Sequence, residues 1–205
     1  MKNHTYFITG ISTDVGKTIV SAILTEALQA DYWKPVQAGE LEHSDTHKVQ
    51  QLVSNTITKF HASAFNLQSP MSPHAAAKID GICISAKKIK RPSTTNNLVI
   101  EGAGGLLVPL NDTETIIDLM LPTDKVIVVS RHYLGSINHT LLTLEALKLR
   151  GMNVFGIIFN GAEHPSTEAA ITKMSGVAVL GRIDQEPYFD KNVVKEYAKN
   201  LREVL

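Results

Sequence analysis

The stretch GISTDVGKT at residues 10–18 decides the fold of this chain. The run before it, TYFIT at residues 5–9, is rich in β-branched and aromatic residues and predicts a buried strand. Behind it, apolar residues from Ile19 to Leu28 recur at helical spacing. A strand, a glycine-containing turn and a helix form the context in which GKT binds phosphate, because backbone N–H groups converge at the helix N-terminus.

The spacing of the glycines in this stretch is unusual for a phosphate-binding loop. In such loops the residues that stand here as Lys17 and Thr18 reach the β- and γ-phosphates and bind Mg²⁺, respectively. The first glycine is Gly10, one position early, and Ile11 stands where it is usually found. An ordinary strand-to-helix turn that happens to contain GKT is the alternative. The flanking pattern and the small polar residues of the loop favour the phosphate-binding loop.

Length and composition are those of an ordinary soluble globular domain, which we expect to span residues 1–205. The chain is 43% hydrophobic and 20% charged. Because 20 basic and 20 acidic residues cancel, we expect neither nucleic acid nor a membrane surface as a partner. The single cysteine, Cys83, cannot form an internal disulfide, which favours a reducing cytoplasm. The sequence has no leader pattern and no apolar run of membrane-spanning length.

Short apolar runs alternate with helical patterns along the rest of the chain. This alternation predicts an α/β fold with a doubly wound, mainly parallel sheet flanked by helices, of the P-loop NTPase type. After the first strand and helix, we predict strands at 32–36, 97–101, 125–129, 153–160 and 178–180, and helices at 46–53, from 74, 113–121, 134–149, 165–174 and 189–203. Ligands bind at the carboxyl ends of such strands. The polar residues that follow predicted strands are Thr13, Lys17, Lys34, Glu101 and Asn160.

Several of these polar residues also have ordinary structural explanations. Lys34 closes a predicted strand, where a solvated lysine is the commoner finding. Asp45 opens a predicted helix, where an N-cap is favoured over a metal ligand. Ser72 precedes a helix that starts at a proline, and Ser136 has the position of an N-cap. Glu101 follows a buried strand as a Mg²⁺-directed carboxylate does in P-loop proteins, which is informative because a P-loop precedes it.

Six segments, in order, resemble those of the dethiobiotin synthetases, ATP-dependent carboxylases that close the ureido ring in biotin synthesis. The resemblance covers nearly the whole chain. The loop resembles that family's GTDTxVGKT, which also has its first glycine one position early and so explains the unusual spacing. The six segments are GISTDVGKT at 10–18, WKPV at 33–36, SD at 44–45, SPH at 72–74, EGAGG at 101–105 and LGSINH at 134–139.

The resemblance implies an enzyme that uses ATP, Mg²⁺, carbon dioxide and 7,8-diaminopelargonate. Carbon dioxide adds to one amine to give a carbamate, and the carbamate oxygen attacks the γ-phosphate of ATP. The second amine then closes the ring of the resulting carbamic–phosphoric anhydride and expels phosphate. No protein nucleophile is needed, and the sequence contains no convincing Ser-His-Asp or Cys-His arrangement. Electrostatic stabilisation is the main contribution such a site can make.

The resemblance also assigns catalytic, metal-binding and nucleotide-binding residues. The catalytic residues are Lys17 and Lys34, which offset negative charge, and Thr13. Mg²⁺ is held by Thr18, Asp45 and Glu101. The nucleotide is bound by Asp14, Val15, Gly16, Lys17, Thr18 and Ile19, with Asn160 as the residue that reads adenine.

The diamine substrate is assigned to two separate groups of residues. Thr13, Lys34 and Ser72 lie at the diamine end. The substrate carboxylate is bound by the helix start that contains Gly135, Ser136 and Asn138. In the family this segment comes from the neighbouring subunit, so the resemblance implies a homodimer with active sites at the subunit interface.

Three residues depart from the family pattern. Asp14 stands where many members have glutamate, which shortens the side chain by one methylene and keeps the charge. Ala38 lacks the hydroxyl that some members have at this position. Asp184 replaces a usual proline in the loop on the adenine side, which makes base selectivity the least secure expectation.

Two other classes of P-loop protein compete with this interpretation. Cobyrinic acid diamide synthetases share the P-loop class but carry a glutaminase domain, for which 205 residues leave no room. Partner-regulated switch ATPases of the partitioning and septum-positioning type share the fold. Those proteins have an additional lysine early in the loop, and residues 11–15 here contain none. They also often end in a membrane-binding helix, whereas the last helix here has mixed charge and is expected to dock on its own domain.

Overall fold

A computed structural model describes residues 3–205 and has a sheet of parallel strands at its centre. Within these residues the main sheet has seven strands in the order β4-β2-β6-β1-β7-β8-β9, and β3 pairs with β5 in a second, two-stranded sheet. The strands are β1 (Thr5–Gly10), β2 (Asp31–Trp33), β3 (Val36–Ala38), β4 (Phe60–His61), β5 (Phe65–Leu67), β6 (Leu98–Gly105), β7 (Lys125–Arg131), β8 (Val154–Asn160) and β9 (Val179–Ile183).

Helices cover the sheet and connect its parallel strands. They are α1 (Lys17–Leu28), α2 (Asp45–Leu52), α3 (Pro73–Ile79), α4 (Ser136–Leu149), α5 (Pro165–Ser175) and α6 (Lys191–Arg202). All strand pairs are parallel, which confirms the predicted α/β fold with a doubly wound sheet. The predicted helix at 113–121 is a 3₁₀ turn, Ile116–Leu119.

The central strand β1 carries the P-loop. It lies between β6 and β7, and five of its six residues are buried. Phe7 and Ile8 are fully buried, as are the apolar residues of β7 next to them. A strand that is buried on both faces reads as a continuous apolar run, which is why the sequence predicts it so clearly. The loop that follows therefore starts from the best-packed part of the molecule.

The predicted strand at 32–36 is in fact two strands. The main sheet keeps Asp31–Trp33, and Val36–Ala38 pairs with Phe65–Leu67 in the second sheet. Pro35 has no N–H to give to a sheet, but its carbonyl accepts hydrogen bonds from the N–H groups of Ala64 and Phe65. The break at Lys34–Pro35 turns the chain away from the main sheet, and Lys34 stands at this turn.

The strand predicted at 97–101 continues beyond Glu101 to Gly105. Ile8 pairs with Glu101 and Gly10 pairs with Gly105, so two steps along β1 correspond to four along β6. This bulge brings the glycine-rich end of β6 beside the P-loop. Small residues there allow the two backbones to approach each other closely.

The last helix packs on the protein itself, as expected. Most of the contacts of α6 are with α1, and Val194, Ala198 and Leu201 are buried. The guanidinium of Arg202 donates a hydrogen bond of 2.9 Å to the Ala27 carbonyl at the end of α1. None of the helices in residues 3–205 is long and apolar enough to cross a membrane.

Candidate functional site

The P-loop is shaped by a glycine in a left-handed conformation and by a side chain from another strand. Gly16 has φ 96°, and a Cβ there would lie 2.2 Å from Nδ2 of Asn160. That Nδ2 donates a hydrogen bond of 2.8 Å to the Val15 carbonyl. Asn160, predicted to read adenine, therefore holds the loop against the end of β8, and a residue larger than glycine at position 16 would displace it.

The early glycine also has a physical reason. A Cβ at Gly10 would lie 2.6 Å from Cγ2 of Val15 and 2.9 Å from the Ser12 carbonyl oxygen. The Val15 side chain is buried under the turn, so this residue can contact a nucleotide only through its backbone. The valine between the two glycines thus requires a small residue at Gly10.

Lys17 is the first residue of α1 and lies against the loop. Its ammonium donates a hydrogen bond of 3.0 Å to the Ser12 carbonyl, and the residue is 7% exposed. Burial lowers the pKa of this ammonium to about 8. A phosphate beside it would favour the charged form.

Glu101 is a buried carboxylate that receives three hydrogen bonds. It lies on β6 between β1 and β2 and is 1% exposed. Its Oε1 accepts from Oγ1 of Thr18 at 2.9 Å and from Nζ of Lys34 at 3.0 Å. Its Oε2 accepts from the hydroxyl of Tyr32 at 2.8 Å. Thr18 and Glu101, both predicted to be metal ligands, therefore lie beside one another.

Lys34 joins two carboxylates, those of Glu101 and Asp45. Its ammonium forms ion pairs with both and is 6% exposed in its side chain. Burial alone would lower the pKa of Lys34, but the charges of Glu101 and Asp45 outweigh it and raise that pKa. Burial would likewise raise the pKa of Asp45, but Lys34 outweighs it and holds that pKa low. The ordinary explanation, a solvated lysine at a strand end, is wrong.

Asp45 is not the N-cap of its helix. Ser44 is the N-cap, since its hydroxyl accepts from the His47 N–H at 3.3 Å. Asp45 is the first helical residue, and its N–H donates to Oε1 of Gln37 at 3.2 Å. Because Ser44 already caps the helix, the Asp45 carboxylate is free to face Lys34. The cap interpretation of Ser136 is also wrong, because Gly135 is the N-cap and Ser136 is the first residue of α4.

Two adjoining cavities meet at these charged residues. The first has a volume of about 560 Å³ and lies over the P-loop. The second has a volume of about 520 Å³ and extends towards the start of α3, where Ser72 lines it. Predicted residues that line the first are Thr13, Asp14, Gly16, Lys17, Thr18, Ile19, Lys34, Asp45 and Glu101, and those that also line the second are Thr13, Asp14, Lys34 and Asp45.

These side chains fit a Mg²⁺ ion that is bound together with phosphates. Thr18 and Glu101 offer oxygen atoms 2.9 Å apart, and one lysine already bridges Glu101 and Asp45. Within residues 3–205 no three His, Cys, Asp or Glu side chains come together as a metal site. Two carboxylates and a hydroxyl suffice for Mg²⁺, because this ion takes its remaining ligands from water and substrate phosphates.

The three residues predicted to bind the substrate carboxylate lie apart from the P-loop within one chain. Gly135, Ser136 and Asn138 line another cavity, of about 740 Å³, that shares no lining residue with the two cavities described above. Gly135 and Asn138 are exposed, and Leu134 beside them is fully exposed. One copy of the described chain therefore does not bring these residues to the P-loop.

Sequence reasoning missed three residues of the site. The first is Tyr32, which lies two positions before the predicted residue Lys34. Strand alternation could have placed both side chains on one face. Lys48 lines both cavities and lies 3.7 Å from Oδ1 of Asp45, one helical turn away along α2. Spacing along α2 could have found it. The third is Gln37, whose side-chain oxygen accepts a hydrogen bond from the Asp45 N–H. No local pattern identifies this residue.

The loop that contains Asp184 is attached to the last helix by a backbone hydrogen bond. The Asp184 N–H donates a hydrogen bond of 3.1 Å to the Tyr197 hydroxyl on α6. A proline at this position could not make that bond, because it has no N–H. This contact attaches the loop after β9 to α6.

Comparisons with known proteins point to one family. A family model described as an AAA domain matches residues 4–193. The chain is 66% identical to an ATP-dependent dethiobiotin synthetase BioD from Christiangramia forsetii, over 98% of this chain and 97% of that one. It is 52% identical to an enzyme of the same name from Cytophaga hutchinsonii, over 96% of each chain.

Solved structures show the same fold at low sequence identity. The cell division ATPase MinD of Pyrococcus furiosus has a TM-score of 0.63 at 13% identity, with 100% of both chains covered. A plasmid partition protein of Borrelia burgdorferi bound to AMPPNP has a TM-score of 0.62 at 15% identity, with 100% of this chain and 98% of that chain covered. These similarities show the P-loop fold alone and do not favour the switch-ATPase alternative. Since the two relatives above exceed half identity across nearly the full length of both chains, this protein belongs to the ATP-dependent dethiobiotin synthetase family.

Proposed function

We propose that residues 1–205 act as one cytoplasmic catalytic domain that makes dethiobiotin from 7,8-diaminopelargonate, carbon dioxide and ATP. The observation that carries this proposal is the group of side chains at the mouth of the P-loop, in which the buried Lys34 and Glu101 contact the partly buried Asp45 and Thr18. It combines the oxygen ligands that a nucleotide-bound metal needs with an ammonium that can face a second anion. Family membership supports the assignment of the second anion as a carbamate.

The proposed reaction balances without a protein nucleophile. One amine of the diamine forms a C–N bond to carbon dioxide and loses a proton, which gives a carbamate. A carbamate oxygen then bonds to the γ-phosphorus of ATP as the bond to the bridging oxygen of ADP breaks. The second amine attacks the carbamate carbon and loses a proton, which leaves with the phosphate or to solvent, while the C–O bond breaks and phosphate departs with that oxygen. The products are dethiobiotin, ADP and phosphate.

The chain's own residues supply position and charge for these steps. The P-loop N–H groups and Lys17 bind the β- and γ-phosphates, and Lys34 faces the oxygen that passes from carbamate to phosphorus. Positive charge held in place where negative charge develops lowers the barrier without reorganisation. Thr13 lies between the two cavities and is positioned to contact the diamine end.

Mg²⁺ would be held by Thr18, Asp45 and Glu101 together with phosphate oxygens, and it would neutralise charge on the transferring phosphoryl group. Asp45 and Glu101 would then serve as metal ligands, and Lys34, which contacts both in this structure, would stay next to them. Val15 and Ile19 would support the nucleotide site by shaping the loop. Gly16 and Asp14 would contact the nucleotide through their backbone groups. Asn160 would read the base with the oxygen of its amide.

The cavity next to the P-loop would hold the diamine. Ser72 precedes α3 and lines this cavity, as does Ala38. Because Ala38 has no hydroxyl, a substrate contact there would use the backbone of β3. The substrate carboxylate would bind to Gly135, Ser136 and Asn138 of a second subunit.

A product assay tests the proposed reaction directly. The protein is incubated with ATP, Mg²⁺, bicarbonate and 7,8-diaminopelargonate, and each component is left out in turn. We expect phosphate release that requires both the diamine and bicarbonate, together with a product that has the mass of dethiobiotin. Phosphate release that does not depend on the diamine, or that appears only after a protein partner is added, would instead support the switch ATPase.

The variant Lys34→Ala tests the assigned role of Lys34. Loss of one positioned donor in a transition state costs about 3–4 kcal/mol, so turnover should fall by roughly two to three orders of magnitude. The exposed Lys195 on α6 provides a matched control, Lys195→Ala, which should keep full turnover. Turnover is measured as dethiobiotin formed at saturating substrates, with circular dichroism to check folding. Near-normal turnover of a folded Lys34→Ala protein would show that Lys34 has no role in the chemistry.

A homodimer would explain why Gly135 and Asn138 are exposed and lie apart from the cavity over the P-loop. The exposed apolar side chains nearby, such as Leu134 and Leu142, would be covered by the second subunit. Lys34→Ala and Asn138→Ala chains, coexpressed with different tags and purified through both tags, form a heterodimer. In that heterodimer one of the two sites has both Lys34 and Asn138.

We expect the heterodimer to recover about half of the wild-type turnover, although each homodimeric variant is nearly inactive. If each active site were built within a single chain, both sites of the heterodimer would carry one substitution. The heterodimer would then be as inactive as the two homodimeric variants. That result, or a monomer by analytical ultracentrifugation, would reject a shared site.

A further inference from the structure

Tyr32 is a fully buried tyrosine whose hydroxyl points at the carboxylate of Glu101. It lies on β2, two residues before Lys34, and is 0% exposed. Its hydroxyl is 2.8 Å from Oε2 of Glu101. The ring packs near Phe60 of the neighbouring strand, with 6.1 Å between ring centroids. Phenylalanine would fill this space equally well, so packing alone does not explain the hydroxyl.

The two oxygens of Glu101 have different partners. Oε1 accepts from Thr18 and Lys34, both of which line the cavity over the P-loop. Oε2 accepts from Tyr32, and within residues 3–205 this is its one hydrogen bond. Tyr32 itself does not line the cavity. The hydroxyl therefore lies behind the carboxylate, on the side away from the nucleotide.

We propose that Tyr32 is a positioning residue that fixes the rotation of the Glu101 carboxylate, so that Oε1 faces Thr18 and the metal. This inference rests on the proposed metal role of Glu101. A carboxylate that lies on the wall of a cavity can turn its plane about its last side-chain bond, and a partial rotation moves its front oxygen away from Thr18. A hydrogen bond to Oε2 opposes this rotation. Groups that orient a metal ligand in this way change metal affinity although they do not touch the metal.

The conservative variant Tyr32→Phe removes the hydroxyl and keeps the ring. The affinity of the protein for AMPPNP is measured by isothermal titration calorimetry, with excess Mg²⁺ and with a chelator. The ratio of the two affinities measures the contribution of the metal. We expect Tyr32→Phe to lower this ratio by about tenfold, the lower end of the effect of lost ligand support, and to leave the metal-free affinity unchanged.

Two further variants give the experiment its reference points. Glu101→Gln removes the negative charge of the proposed ligand and should lower the ratio at least as much as Tyr32→Phe. Tyr6→Phe is the matched control, because Tyr6 is also a buried tyrosine on a strand of the main sheet, with its hydroxyl 3.4 Å from Nζ of Lys125. It should keep the wild-type ratio. In the Glu101→Gln background, Tyr32→Phe should have no further effect.

Turnover provides a second readout. Tyr32→Phe should need about tenfold more Mg²⁺ for half-maximal turnover and should regain most of the wild-type kcat at saturating Mg²⁺. A purely structural role would lower the melting temperature and would not be rescued by Mg²⁺. If Tyr32→Phe and Tyr32→Met both fail to fold, Tyr32 serves the core and the inference is wrong.

The outcomes separate this inference from the proposed function. If Mg²⁺ does not change the AMPPNP affinity of the wild type, the metal assignment fails and the role of Tyr32 fails with it. The same holds if Glu101→Gln keeps the wild-type ratio of affinities. If wild type and Glu101→Gln differ as expected but Tyr32→Phe keeps the wild-type ratio, the role of Tyr32 alone is overturned. If Tyr32→Phe loses AMPPNP affinity equally with Mg²⁺ and with the chelator, the role of Tyr32 is also overturned.

Discussion

A buried lysine between two carboxylates is the interaction on which this site depends. Glu101 and Lys34 are almost completely buried, and burial of a charge costs several kcal/mol unless it is paired. With Lys17 beside them, two ammonium groups balance the carboxylates of Glu101 and Asp45. A packed apolar group would fill the same volume at lower cost, so the charges point to function rather than stability. A phosphoryl group and a metal can enter such a site with little reorganisation, because its charges are already oriented.

The fold brings these groups together because parallel strands end at one edge of the sheet. β1 leads into the P-loop, β6 carries Glu101, and β2 ends just before Lys34. The turn at Pro35 matters as much as the strands, because it sends the chain into the second sheet and leaves Lys34 facing Glu101. Asp45 arrives on a helix that Ser44 caps, so its carboxylate is not needed for the helix. Lys17, Lys34 and Asp45 thus stand where a regular element begins or ends, while Glu101 lies within β6.

The sequence predicts what local patterns determine. The alternation of strands and helices and the GKT loop were predicted because periodicity and loop composition act over a few residues. The split at Pro35 was missed because it depends on β5, about thirty residues further along the chain. The pairing of Tyr32 with Glu101 joins positions 69 residues apart, and no local pattern contains it. Ser44 and Asp45 are both good N-caps, and what separates their roles is Lys34 from a different strand.

The path of one oxygen atom tests the central claim, which is that this site transfers the γ-phosphoryl group to a carbamate. The measurement is a single turnover with ¹⁸O-labelled carbon dioxide in unlabelled water, with excess enzyme, ATP, Mg²⁺ and 7,8-diaminopelargonate. The released phosphate is then analysed by mass spectrometry. If a carbamate oxygen attacks phosphorus and leaves with it, the phosphate carries one labelled oxygen. Phosphate without the label, with its new oxygen taken from water, would mean that the site hydrolyses ATP and would contradict the account.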